Sequence, residues 1–275
     1  MKKYLMFLLI PIGLFANSIM SNESDYLDIC KRAAANPAVF SSFRRHKAII
    51  RGIEGLSPAR GLACIKKIPQ DYLSRLKELD VYDALGNSKR HFYQGIGNYS
   101  PCTLRYVMVL ANLKKRFGPL DNLRVVEIGG GFGGLCAVMS TLESKAHYTL
   151  IDLPCVLDLA KVFLDKLNIQ NVSYIRHDQL QQVGQYDLLI SNYAFSEIEA
   201  KYQLEYLEKV IKHVPRGFMT INFTGKLFGI KSLTRHEIKN FLEKAGHKVV
   251  IENELTQTTP RNTNILMTWG NDLQK

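Results

Sequence analysis

Two acids and a run of glycines carry the clearest chemistry in this 275-residue chain. Glu127 stands inside Val125-Val-Glu-Ile-Gly-Gly-Gly-Phe-Gly-Gly134, and Asp152 closes His147-Tyr-Thr-Leu-Ile-Asp152. The glycines let the backbone take positive φ and come close to a ligand, and a helix after them presents unpaired N–H groups. Gly129, Gly131 and Gly134 meet the dinucleotide spacing, in which a pyrophosphate sits on the helix N-terminus. Gly129, Gly131 and Gly133 equally meet the spacing that cradles S-adenosylmethionine (SAM). Glu127 separates the two, because a buried carboxylate at a strand end is costly without a cation or donors beside it. Pyrophosphate would be a poor neighbour for it, and a sulfonium ligand that also carries an ammonium group a good one. A salt-bridged structural glutamate is the alternative.

Further candidates fall at later strand ends. Asp152 can accept two hydrogen bonds from a ribose diol, and Leu153 follows it in the same cofactor-binding set. Asp178 comes after a third apolar stretch and can accept a hydrogen bond from an adenine amino group, unless it and His177 form a solvated loop pair. Asn192-Tyr-Ala-Phe-Ser-Glu197 follows a fourth, bringing two aromatics, an amide, a hydroxyl and a carboxylate to the end of the sheet where ligands bind. Arg105 lies one turn into a helix just ahead of the glycine segment. It could pair with a carboxylate such as that of the SAM methionine, or sit on the helix surface.

The elements that must position these residues alternate as in a parallel sheet. Strands are expected at 123–128, 147–151, 172–175, 186–191, 218–223, 248–251 and 265–269, with helices at 135–142, 154–167, through 211 and at 234–244. Ser100 and Pro101 open a helix to about Phe117, as N-cap and first helical residue. Upstream, Asn22 to Ala35 reads as a helix, Pro37 to Ile53 as a second, basic one, and Asp83 to Arg90 as a polar loop. The fold class is therefore α/β: a Rossmann-like, seven-stranded, mostly parallel sheet with helices on both faces, plus a helical N-terminal extension. The division is a possible signal peptide over 1–18, the extension over 19–98 and a SAM-binding domain over 99–275.

The totals constrain partners weakly. Net charge is +11, but the basic residues are scattered in pairs, and no nucleic-acid reading motif appears. The five cysteines show no metal spacing, so no metal site is expected, and Cys136 and Cys155 read as packed thiols. Met1-Lys-Lys precedes an apolar run over residues 4–16, in the order of a secretory signal. Export or membrane association through that run stands against the cytosolic supply of SAM.

Taken together, Ser100-Pro-Cys-Thr-Leu-Arg-Tyr106, Val126-Glu-Ile-Gly-Gly-Gly-Phe-Gly-Gly134, Ile151-Asp-Leu-Pro154 and Asp187-Leu-Leu-Ile-Ser-Asn-Tyr-Ala-Phe-Ser-Glu197 resemble the sugar O-methyltransferases, a bacterial class I group. The resemblance covers roughly residues 90 to 245 and departs from the family at Phe132 and Cys102, where tyrosine and a small hydroxyl residue are usual. It implies SAM as cofactor and a sugar or glycan hydroxyl as acceptor. Such a hydroxyl must lose a proton, and Glu197 is the first candidate base, His236 the second. Two other readings remain: a nicotinamide-dependent oxidoreductase, and a non-catalytic exported binding protein on the same scaffold.

Overall fold

The computed structural model describes residues 16–143, 146–180, 184–222, 229–256 and 264–270. The signal-like run thus lies outside the described residues up to position 15. Helix α1 (Ala16–Ala35) ends at Asn36, whose side chain accepts from the amides of Ala38 and Val39 and restarts the chain as the turn Pro37–Phe40. The basic helix expected from Pro37 to Ile53 is broken into four pieces: that turn, a 3-10 turn (Phe43–Arg45), Lys47–Ile49 and a π-helical turn (Ile50–Glu54).

The reason is Arg44, which points into the protein. Its guanidinium meets Glu54 at 2.7 Å and donates to the carbonyls of Tyr82 and Leu85. On one straight helix, positions 44 and 54 would stand about 15 Å apart along the axis, so the chain bends to let the pair form. Asp83 is also fully buried, in the turn Asp80–Ala84 rather than in a solvated loop. It accepts from Thr103 Oγ1 at 2.5 Å and the Ser100 amide at 3.1 Å, tying the N-terminal region to the start of the next long helix.

Helix α2 (Pro58–Ile65) and a short hairpin that the sequence reading did not anticipate, β1 (His91–Tyr93) with β2 (Gly97–Tyr99), lead to that helix. α3 (Pro101–Phe117) starts and stops as its residues dictate. Ser100 Oγ accepts from the Cys102 amide at 3.2 Å, Pro101 fills the first position, and Gly118 ends it at φ 76°.

The sheet then unrolls as β3 (Arg124–Ile128), α4 (Gly134–Leu142), β4 (His147–Asp152), α5 (Pro154–Lys166), β5 (Val172–Arg176), β6 (Leu188–Asn192), α6 (Ala200–Lys209), β7 (Gly217–Ile221), α7 (Arg235–Lys244), β8 (Val249–Asn253) and β9 (Ile265–Trp269). Its seven strands lie in the order β5-β4-β3-β6-β7-β9-β8, all parallel except β9, which runs antiparallel to both neighbours. Strand order reverses between β3 and β6. Alternate β3 side chains enter opposite apolar layers: Val125 joins α1, α3, α4 and α5, while Val126 and Ile128 face α6 and α7. Each large apolar side chain so buried stabilises the fold by roughly 1.5–3 kcal/mol. α1 packs along α5 and shares the first layer, so the N-terminal helices are part of the core beside the reversal point.

Candidate functional site

The glycine turn after β3 is shaped by two demands. Gly129 and Gly131 take φ of 76° and 56°, and a Cβ on Gly129 would lie 2.0 Å from that of Ala194, after β6. The turn is thus pressed against the β6 loop, and only glycine fits. Its Gly131 amide donates to Asp152 Oδ2 at 3.0 Å, and the Leu153 amide donates to Oδ1 at 2.7 Å. The acid at the end of β4 therefore closes onto the turn at the end of β3.

Glu127 and Asp152 are both buried, and no ion pair among the described residues involves either. Burial pushes the Glu127 carboxyl up to about 7, against a 2.7 Å hydrogen bond from Tyr148 Oη that pulls it down. Burial likewise raises Asp152 to about 7, with the Leu153 and Gly131 amides opposing. A carboxyl in that range gives up its proton when a cation arrives.

Two cavities open here and meet at Gly129, each with about 520 Å³ of open space. The first holds Glu127, Gly131, Asn192 and Glu197 and is walled by Arg105 and Tyr106 of α3. Tyr26, Gly52 and Ile53 of the N-terminal region also line it, with Ile53 Cδ1 against Gly131 of the glycine turn. The second holds Asp152, Leu153 and His177 among the apolar side chains of Ile128, Ile151 and Ile198. The geometry therefore brings Glu127, Gly129, Gly131, Asp152, Leu153, Asn192, Glu197 and Arg105 to two cavities that share Gly129 in their walls; Gly133 caps α4 behind the turn.

Asp178 and His236 are not drawn in. Asp178 is exposed and held by Arg176 at 2.9 Å, because β5 is an edge strand and its end faces solvent. His236 is exposed on the outer face of α7 beside Arg235, while Ile238 and Leu242 take the buried face. Glu197 sits in a 3-10 turn (Ala194–Glu197) ahead of α6 and is buried. Asn222 Nδ2 donates to its Oε1 at 2.6 Å. Arg105 is not on a helix surface but 6 % exposed, with its guanidinium over the rings of Tyr106 and Tyr193 at 5.0 and 5.3 Å.

Tyr193 was noted in the sequence only as one aromatic of the loop 192–197, with no role of its own. It holds φ 70° and ψ −37°, and its hydroxyl donates to Glu254, which also accepts from Asn264 Nδ2 at 2.9 Å. A non-glycine residue in that region carries strain of roughly 1–3 kcal/mol, which the surrounding bonds must hold. Among the described residues no cluster of three metal-ligating side chains occurs, and no helix is long and apolar enough to cross a membrane.

The strand order, the single antiparallel strand and the glycine turn at the reversal point decide the architecture. It is the class I methyltransferase fold.

No family model matches the chain. It is similar to a malonyl-[acyl-carrier protein] O-methyltransferase of Bacillus anthracis, 29 % identical over 153 residues that cover 53 % of this chain and 52 % of that protein. An arsenite methyltransferase of Mus musculus is 34 % identical over 109 residues, covering 34 % of this chain and 29 % of that one. The chain thus spans about half or less of the length of these curated relatives. Among solved structures, a magnesium protoporphyrin IX methyltransferase from Synechocystis PCC 6803 with bound SAH is 17 % identical, with a TM-score of 0.47 over 61 % of this chain and 83 % of that one.

Proposed function

We propose that this protein is a SAM-dependent O-methyltransferase whose acceptor is a sugar or glycan hydroxyl. The observation that carries the cofactor is the pair Glu127 and Asp152, buried at the ends of adjacent strands with carboxyls near 7 and no cationic partner in an ion pair among the described residues. A positively charged nucleoside ligand completes them; an anionic pyrophosphate would not. The methyltransferase names of the two curated relatives support the reaction class. The acceptor class comes from the motif resemblance.

SAM supplies an activated methyl group, and the transfer is a displacement in which the C–S bond breaks as the new O–C bond forms. The residues of this chain have the remaining work. Glu127 takes the cationic amino-acid side of the cofactor and Asp152 the ribose hydroxyls, in exchange for its two backbone amides or alongside them. Ile198 and Leu153 offer apolar surfaces to the adenine in the second cavity. Glu197, which Asn222 Nδ2 orients at 2.6 Å, receives the acceptor proton. Tyr26 and Ile53 line the first cavity with apolar surface, limiting water at the reacting oxygen.

Calorimetric titration of SAM and NAD into wild type and Asp152→Ala tests the cofactor. The expected result is SAM binding that the variant loses, with none for NAD; NAD binding instead would move the chain to the oxidoreductases. Transfer of a labelled methyl group to a panel of mono- and oligosaccharides then tests the acceptor, with Glu197→Gln expected to reduce turnover at least 100-fold by the usual scale of general-base catalysis.

A further inference from the structure

Among the non-glycine residues that line the first cavity, Tyr193 alone has positive φ, 70° with ψ −37°. A bulky residue in that region is strained, so its surroundings must hold it there. Part of the hold is backbone. The Tyr193 amide donates to the Thr220 carbonyl of β7 at 2.8 Å, and its carbonyl accepts from the Ser196 amide and Oγ at 3.0 and 2.7 Å. The rest begins at the hydroxyl. Arginine can only donate, so in its side-chain bond with Arg105 the hydroxyl accepts, and it points its own proton at Glu254. A cation, a hydroxyl and a carboxylate in line polarise one another, and away from water each link is stronger for it.

Glu254 lines neither cavity. It follows β8, the edge strand three places from β6 in the sheet. Asn264 Nδ2 donates to its Oε2 at 2.9 Å, and its own amide donates to the Asn264 carbonyl at 3.1 Å. Two residues on, Thr256 Oγ1 lies 3.8 Å from Cys64 Sγ of α2 and from Met108 Sδ of α3. The support for Tyr193 is therefore itself anchored. From Tyr193 the bonds run on to the candidate base: Ser196 Oγ accepts from the Asn222 amide at 3.1 Å, and Asn222 Nδ2 donates to Glu197 at 2.6 Å.

We propose that Glu254 is a positioning residue: acting through the Tyr193 hydroxyl, it holds the loop 192–197 in its strained shape and so fixes the Glu197 carboxylate for the acceptor. A base must lie within hydrogen-bond reach of the proton it takes, so a loop free to relax would lose turnover more than binding. The part concerning the acceptor rests on the methyl-transfer reading above; the hold on the loop does not.

Hydrogen exchange followed by mass spectrometry on the full chain tests that hold without any ligand, in wild type, Glu254→Ala, Glu254→Gln and Tyr193→Phe. Peptides covering residues 192–198 should exchange about tenfold faster in Glu254→Ala and Tyr193→Phe, the equivalent of one net hydrogen bond. Glu254→Gln keeps an acceptor oxygen and should recover part of the protection. Faster exchange confined to β8 and β9, with the loop as slow as in wild type, would make Glu254 a support of the sheet edge and overturn the proposal. If Glu254→Ala does not fold, Tyr193→Phe, which removes a single hydroxyl, decides alone. With labelled SAM and whichever saccharide of the panel accepts a methyl group, the loosened variants should lose kcat about tenfold with KM nearly unchanged. A loosened loop with undiminished kcat would also overturn it. Absence of SAM binding and transfer in wild type would sink the methyl-transfer reading, and exchange would still decide whether Glu254 holds the loop.

Discussion

At the residue scale, Glu127 and Asp152 make the site sensitive to pH in a definite sense. Their carboxyls stand near 7 in the fold and near 4 in an unfolded chain. Between those values the folded chain binds more protons, so the stabilising effect of holding them neutral is complete below pH 4 and is lost as pH rises through 7. The ligand-free protein should therefore melt at a lower temperature at pH 8 than at pH 5.5. Glu127→Gln, which keeps an acceptor for Tyr148, should flatten that decline. SAM affinity should run the opposite way, rising roughly tenfold from pH 6 to 8 as the carboxylates form, and the same variant should blunt the rise. Calorimetry and thermal melts over that range check both. Glu127, Asp152 and the glycines were legible because each sits at a fixed offset from an apolar strand. Tyr193 and Glu254 were not: their contact joins positions far apart in the chain, so no spacing signals it. Arg44 was read only as one basic residue of a continuous helix, because its partners, Glu54 and Asp83, become neighbours only after the chain bends.

At the element scale, the strands were readable because buried parallel strands announce themselves as continuous apolar runs, and the capped helices because Ser100-Pro101 and Thr234 with Glu237 are local signals. The broken segment after Asn36 was unreadable from periodicity, since its apolar and basic residues suit a helix and only tertiary pairing divides it. That pairing is strong enough to test. Glu54→Ala leaves Arg44 buried with only Asp83, at 3.9 Å, to answer its charge, and should destabilise the fold by about 3–5 kcal/mol. Arg44→Met with Glu54→Leu removes both charges and should cost far less, by urea denaturation. The glycine turn gives a second element-level expectation. Gly129→Ala must both hold φ 76° and displace the β6 loop at Ala194, so about 2–4 kcal/mol of stability should be lost, with SAM binding weakened alongside.

At the scale of the whole molecule, the sequence suggested an N-terminal extension followed by a separate binding domain, and the packing joins them. Tyr26 and Ile29 of α1 enter the same apolar layer as Val125 of β3 and Phe163 of α5. Asp83 is bonded to Ser100 and Thr103 at the start of α3, and Ile53 and Tyr26 line the cavity that the glycine turn also lines. A chain beginning at Tyr99 would expose that face of α5 and leave the Glu127 side of the cavity open to water. It would also strip Asp83 from the Ser100 amide at the N-terminus of α3, the helix that carries Arg105. The full chain should therefore unfold in one transition, with far-ultraviolet circular dichroism and tyrosine fluorescence coinciding. The shortened chain should show weak or no cooperative melting and no measurable SAM affinity. Cooperative melting of the shortened chain with intact SAM binding would instead make the N-terminal helices a dispensable cover, and Tyr26 and Ile53 would then have no part in holding the ligand.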